Sequence, residues 1–256
     1  MDVTNRFVLD FARRYREASG GGRVLDFGCG AGRLVQAGLV AGLEMAGADV
    51  FYGGSKTREE AAQAGLLGTV IREIREGRID FPDASFDLVV NNQVLEHVED
   101  LDAVLREIHR VLKPGGTVLS VFPSRDVFRE GHIGIPFAHW WKRGSRARLL
   151  YTWALRGLGL GTWKQEAPTC RQWAVDKLAW IDAYTHYRTR REIFAVFGRY
   201  FVSGLRESEY IRYRLLDRPG REWAVRATEW PVVAWVARAV FRKLAFLVIV
   251  SRKAAA

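Results

Sequence analysis

Cysteine is almost missing from this chain. Cys29 and Cys170 are the 2 present in 256 residues, which excludes a disulfide framework and a cysteine-rich metal site. A reducing, cytoplasmic setting is therefore expected. No long uninterrupted apolar run is present either. The most apolar stretch, Pro231 to Val250, is broken by Arg238, Arg242 and Lys243, so it is not expected to span a bilayer. Asp2, Arg6 and Asp10 interrupt the apolar region that a signal peptide needs, so export is not expected. Internal repeats and low-complexity tracts are lacking. Acid is in deficit: 29 Asp and Glu stand against 39 Lys and Arg, a net charge of +10. That balance suits anionic surroundings, whether a membrane face, nucleic acid or a phosphorylated substrate, without choosing among them.

What is present is enough apolar residue, 48%, to build a full core. The length fits one large α/β domain over 1–256 better than two independent ones. The stretch from Val24 to Leu34 runs apolar through Phe27, breaks into Gly28, Gly30 and Gly32 at alternate positions, and resumes as a helix. It reads as a strand, a tight turn and a helix start. A Cβ at Gly28 or Gly30 would occupy space that a ligand needs, and the following helix turns free N–H groups toward that space. The pattern differs from the G-x-G-x-x-G of dinucleotide sites, and Asp26 just before it argues against a pyrophosphate.

Around this turn the chain alternates. A helix is expected over Thr4 to Ala18, with Phe7, Val8, Phe11 and Tyr15 at helical spacing. A second strand is expected at Leu43 to Ala48, a third at Thr69 to Ile74 and a fourth at Phe86 to Val90. Asp49 ends the second strand, 23 positions after Asp26, the spacing of a carboxylate that accepts hydrogen bonds from both ribose hydroxyls. Asn91 and Asn92 stand at the carboxyl end of the fourth strand, where open α/β sheets bind ligands. A helix from Val98 to Leu112 is stopped by Lys113-Pro114-Gly115-Gly116, and the strand Thr117 to Phe122 follows.

Three stretches, Val24 to Gly32, Phe81 to Val98 with its "FPD", "SFD" and "LEHV" runs, and Arg110 to Gly116 ("RVLKPGG"), resemble the class I S-adenosylmethionine-dependent methyltransferases, in the branch acting on small molecules and lipids. The resemblance covers most of Val24 to Pro123. It implies a Rossmann-like seven-stranded sheet, mostly parallel with an antiparallel last strand and helices on both faces. It also implies S-adenosyl-L-methionine as cofactor, with the glycine loop under its methionine part and Asp26 helping to hold the amino group. Asp26, Gly28, Gly30, Gly32, Asp49 and Asn91 are the expected cofactor residues. Phe51 to Ser55 can be set against the family's ribose position in place of Asp49, with no acid there. The adenine position falls near Arg75 to Ile79, where Glu76 is the candidate. His97, in "LEHV", is assigned a structural or pocket-lining role rather than proton transfer.

After Pro123 the alternation is lost, and residues 124–188 read as an acceptor-binding insertion between the fifth and sixth strands. Glu130 and His132 are the expected catalytic pair, one deprotonating an acceptor hydroxyl and the other orienting the first. The alternatives are a His132 that bonds loop backbone, or a metal on Glu130, His132 and His139. That spacing matches no compact zinc motif, so no metal is expected. From Phe137 to Lys164 basic and aromatic residues mix without acids, which suits either a helix lying on an anionic membrane surface or a lid with a solvated basic face. The acceptor is expected to be a small molecule, a lipid or a lipid-linked glycan, at a cytoplasmic or inner-face peripheral location. Nucleic-acid methylation is disfavoured because no RNA-binding module accompanies the charge. A non-catalytic cofactor-binding protein is the other rival. Further helices are expected at Gln172 to Tyr184 and, after a capping box at Thr189 and Glu192, up to Tyr200. Strands at Phe201 to Leu205 and Ala245 to Val250 close the sheet and are reached through a helix over Trp230 to Leu244, which gives the apolar C-terminus a core role. The oligomeric state is not legible.

Overall fold

The computed structural model describes residues 1–53 and 55–255. Gly54, in the loop set against the ribose position, and Ala256 lie outside the described residues. The first half alternates as expected: α1 (Val3–Ser19), β1 (Arg23–Phe27), α2 (Arg33–Val40), β2 (Glu44–Asp49), α3 (Thr57–Gln63), β3 (Ile71–Glu73), β4 (Phe86–Asn92), α4 (Leu101–Val111) and β5 (Leu112–Phe122). There follow α5 (Arg146–Gly157), α6 (Cys170–Tyr184), α7 (Arg190–Phe197), β6 (Val202–Leu205), α8 (Glu207–Leu216), α9 (Glu222–Ala227), α10 (Pro231–Leu244) and β7 (Leu247–Arg252). The seven strands form one sheet in the order β3-β2-β1-β4-β5-β7-β6. β1 pairs in parallel with β2 and β4, while β7 runs antiparallel to both β5 and β6. The strand order reverses between β1 and β4, which opens a crevice outside their carboxyl ends.

Both faces of the sheet are covered, as the continuous apolar runs of β1, β4 and β5 require. On one face Leu25, Phe27 and Val89 pack under Leu105 and Ile108 of α4 and Ile193 and Phe197 of α7. On the other Val24, Leu88, Val90 and Leu119 meet Phe7 and Val8 of α1, Leu34 of α2 and Tyr210 of α8. The side chain of Asp2 caps α1 through the N–H groups of Thr4 and Asn5, and Gly20 in the left-handed region ends it. Residues 124–188 build a smaller core of their own, in which Ile133, Ile135 and Ala138 pack against Trp173 and Ile181 of α6.

Several boundaries differ from expectation. β3 starts at Ile71, because the Thr69 hydroxyl bonds the carbonyls of Gly65 and Leu66 and holds that segment in a turn. The α4 helix starts at Leu101, where Asp100 accepts from the Ala103 N–H. The "LEHV" run ahead of it is a separate 3₁₀ turn, Leu95–His97. Lys113 to Gly116 does not interrupt the chain as a loop but continues in β5, at the cost of a register shift against β4. Of the apolar C-terminus, β7 lies in the core, with Leu247, Val248 and Ile249 buried, whereas α10 buries none of its residues: Trp235, at 64% exposure, and Leu244 face outward. Phe241 of α10 packs, partly buried, against Tyr210 of α8, a helix the residues did not announce.

Phe7 is fully buried and meets Tyr210 and Tyr213 edge-on at 5.0 and 5.4 Å. Phe7→Ala should cost about 3–5 kcal/mol, seen as a lower urea midpoint with an unchanged slope.

Candidate active site

The glycine turn carries the chain over the crevice in the left-handed region, with φ of +78° at Gly28, +52° at Gly30 and +77° at Gly32. Its three glycines are needed for different reasons. A Cβ on Gly28 would fall 2.4 Å from Val94 Cγ2, and one on Gly32 would fall 2.5 Å from Ile71 Cδ1. A Cβ on Gly30 would meet only Thr57 Cγ2, at 3.8 Å. The expectation of open ligand space beside both Gly28 and Gly30 therefore holds for Gly30, whereas Gly28 is small so that Val94 can pack on it. Asp49 pins the turn: one carboxylate oxygen accepts from the Gly30 N–H at 2.8 Å and the other from the Phe51 N–H at 2.7 Å. A carboxylate has about four lone-pair sites, so two remain for a ligand.

The crevice is a cleft of about 600 Å³, and Gly28, Gly30, Asp49, Val94 and His97 are among its walls. The end of α6 closes over it through Ala183 and Tyr184, and Tyr52 meets Tyr184 edge-on at 6.3 Å. Asp26 lies behind the glycine turn at 4% exposure, and burial first, with the charge of Asp49 second, pushes its carboxyl up to about 7. Asn91 does not overhang the cleft: it is fully buried and donates to Ser120 Oγ at 3.0 Å. Asn92 points to the other face of the sheet and donates to Asn5 of α1 at 2.9 Å. The alternation of β4 decides this, and the chain then turns at Gln93 (φ +57°), placing Gln93 and Val94 in the wall instead. Near Glu76 it is Ile74 and Gly77 that line the cleft.

At the His97 end a second group of polar residues comes together. Glu130 is wholly buried, and one of its oxygens accepts from His132 Nδ1 at 2.7 Å and from the Tyr187 hydroxyl at 2.5 Å. The other accepts from the Ile133 N–H at 2.7 Å. Burial pushes the Glu130 carboxyl up, but the hydrogen bond and charge of His132, with Tyr187 and Ile133, hold it below its ordinary value. Burial likewise lowers His132, and the hydrogen bond and charge of Glu130 overcome this and raise it. His97 Nδ1 donates to the Tyr184 carbonyl at 2.6 Å, and its ring meets that of His132 edge-on at 5.0 Å. Burial sets His97 below the ordinary histidine value.

The expected Glu130–His132 contact is thus present, while the Glu130–His132–His139 metal set is not. Every Glu130 oxygen is engaged elsewhere, and His139 Nε2 donates to the Arg125 carbonyl at 3.2 Å. Three members went unread in the sequence. Tyr187 is 57 residues from Glu130, Tyr184 is 87 from His97, and Glu96 was passed over as part of the "LEHV" run. Glu96 is 1% exposed. Beyond His132 lies a second cavity of about 710 Å³, lined by Ile133, Thr162, Trp163 and Trp180 among others. In an NMR titration the His132 ring should protonate at higher pH than that of His97, and Glu130→Gln should remove the difference.

Residues 25–120 match the family model described as a methyltransferase domain. A ubiquinone biosynthesis O-methyltransferase of Mesorhizobium japonicum is 33% identical over 152 residues, which is 56% of this chain and 59% of that protein. A probable S-adenosylmethionine-dependent methyltransferase of Mycolicibacterium smegmatis is 36% identical over 123 residues, 46% of this chain and 45% of that protein. The chain spans about half the length of the curated relatives it matches. Among solved structures, an S-adenosylmethionine-dependent methyltransferase from Mesorhizobium loti shares the fold, with a TM-score of 0.53 at 21% identity over 91% of each chain. Residues 25–120 are thus similar to a methyltransferase domain, and the whole chain shares the fold of an S-adenosylmethionine-dependent methyltransferase.

Proposed function

We propose that this chain transfers the methyl group of S-adenosylmethionine to a hydroxyl oxygen of a small, apolar, lipid-type acceptor. The observation that carries the reading is the Glu130–His132–Tyr187 set, hydrogen-bonded within 3.1 Å and standing between the cleft and the second cavity. The residues that would hold the cofactor are Gly28 and Gly30 in the cleft wall, Asp49 for the ribose hydroxyls and Asp26 for the charge of the amino group. Gly32 and Asn91 support that wall from behind. The acceptor enters from the Trp163 and Trp180 side, with residues 124–188 forming its site. His132, held by Glu130, activates the hydroxyl. The oxygen then bonds the methyl carbon as the carbon–sulfur bond breaks, and that electron pair stays on sulfur. The name of the Mesorhizobium japonicum relative, an O-methyltransferase, supports oxygen as the acceptor atom.

A lipid-type acceptor places the protein at a membrane surface, and the exposed aromatics favour this. Trp153 of α5 and Trp163 stand exposed among Arg146, Arg156 and Lys164, and Trp223, Trp230 and Trp235 stand on or beside α9 and α10, the first two at 72%. Among the described residues no helix is long and apolar enough to cross a membrane, so contact would be interfacial.

Methyl-label transfer to cell extract should put label in the organic-solvent fraction as an alkali-stable ether; label confined to nucleic acid or protein overturns the reading. His132→Ala should lower turnover by about 100-fold or more while leaving cofactor affinity within about twofold. Because the cofactor's ammonium favours ionised Asp26, its affinity should rise as pH rises through about 7, with proton release on binding below that pH. Calorimetry in two buffers checks this, and Asp26→Asn should flatten the dependence. Anionic vesicles should sediment the protein at low salt and release it at high salt, with Trp230→Ala and Trp235→Ala together weakening the binding.

A further inference from the structure

Glu96 is the anomaly of the site. Its carboxylate is buried at 1% exposure, and neither oxygen finds a hydrogen-bond partner among the described residues. An unpaired buried carboxylate costs several kcal/mol in desolvation, so such groups occur paired, protonated or on a metal. Among the described residues Glu96 has no Lys or Arg partner; the titratable groups around it are the imidazoles of His97 and His132 and, acting against its charge, the Glu130 carboxylate. One candidate ligand atom each from Glu96, His97 and His132 lie within 4.8 Å of one another.

Both imidazoles have one ring nitrogen committed. His97 commits Nδ1–H to the Tyr184 carbonyl at 2.6 Å, and His132 commits Nδ1–H to the Glu130 carboxylate at 2.7 Å. In each ring Nε2 then carries the free lone pair. A ring N–H held by a carbonyl or a carboxylate is the support that metal-bound histidines have, because it fixes the tautomer and raises ligand basicity. Glu130 therefore stands behind His132 as a positioning residue, with its own oxygens engaged by His132, Tyr187 and Ile133.

We propose that Glu96, His97 and His132 form a binding site for one divalent transition cation, placed between the cofactor cleft and the second cavity. Two imidazoles and one carboxylate are a donor set suited to Zn²⁺ and its first-row neighbours, and three protein ligands leave a coordination position open. Ligand atoms about 2.0–2.1 Å from a tetrahedral ion stand roughly 3.4 Å apart, so the three must draw together by about an ångström on binding. His132 also lines the second cavity, where the acceptor is proposed to enter. The inference rests on the hydroxyl-acceptor reading and deepens it: with the ion bound, His132 would serve as its ligand rather than as the base, and the ion would acidify the hydroxyl so that its proton is released to solvent.

The test uses the full chain stripped with a chelator and titrated with Zn²⁺ alone by calorimetry, with circular dichroism to show that each variant is folded. One equivalent should bind and raise the melting temperature. Glu96→Gln, which keeps the side-chain shape, and His132→Ala should each weaken binding by more than about tenfold, and Glu130→Gln by about 10–100-fold. His139→Ala should leave it unchanged. Stoichiometric binding that is insensitive to both Glu96→Gln and His132→Ala overturns the site, as does less than about 0.1 equivalent bound by the wild-type chain. Methyl transfer without Zn²⁺ binding would remove the ion and leave the proposed function standing. Zn²⁺ binding without transfer to any hydroxyl acceptor would do the reverse.

Discussion

A single buried carboxylate ties together the two ends of the segment that packs beside the cleft. Glu130 is sealed from water and stays ionised because three donors converge on it: the His132 ring, the Tyr187 hydroxyl and the Ile133 N–H. Removing any of them would leave a buried charge short of partners, which is expensive in a low-dielectric interior. The ends of the 124–188 segment are thereby held together, since His132 and Tyr187 come from opposite sides of α5 and α6. The same contact sets the His132 ring against His97, and so against the cofactor cleft.

A few ångströms away the electrostatics run the other way. Glu96 has burial without partners, which pushes its carboxyl up to about 8, and Asp26 beneath the glycine turn is raised for the same leading reason. The site therefore contains one carboxylate stabilised by donors and two held near neutrality by desolvation. Groups poised in this way sit where a cation is to be received, whether a ligand's ammonium or a metal ion. Asp49 differs again. Its two backbone N–H partners fix it in place while leaving lone pairs open toward the cleft.

The outer surface carries its own contrast. Aromatic and apolar side chains on α5, α9 and α10 remain exposed beside arginines, although the chain has enough helices to cover both faces of its sheet. The interior is filled without them. Two exposed tryptophan-bearing regions flanking a basic surface are consistent with work at an interface between water and lipid.

The strands, their parallel order and the cofactor end of the sheet were legible in the residues themselves. Glycine at a left-handed turn, β-branched runs and capping residues act over a few positions, so Val24 to Gly32 and Thr189 to Glu192 say what they form. The place of Asp49 in the cleft wall was readable because it depends on a spacing along the chain. The contact of Glu130 with His132 was readable because the two are neighbours in one loop. What the sequence could not decide depends on which way a side chain turns and what arrives from elsewhere. Asn91 faces Ser120 rather than the cleft because the pleat of β4 alternates, and α10 buries none of its residues while Tyr210 of α8 is fully buried in the core. Tyr187, Tyr184 and Glu96 joined the site through contacts across as many as 87 residues, which no local pattern encodes. Local chemistry determined the Val24 to Pro123 half, and the packing of residues 124–188 against it determined the rest of the site.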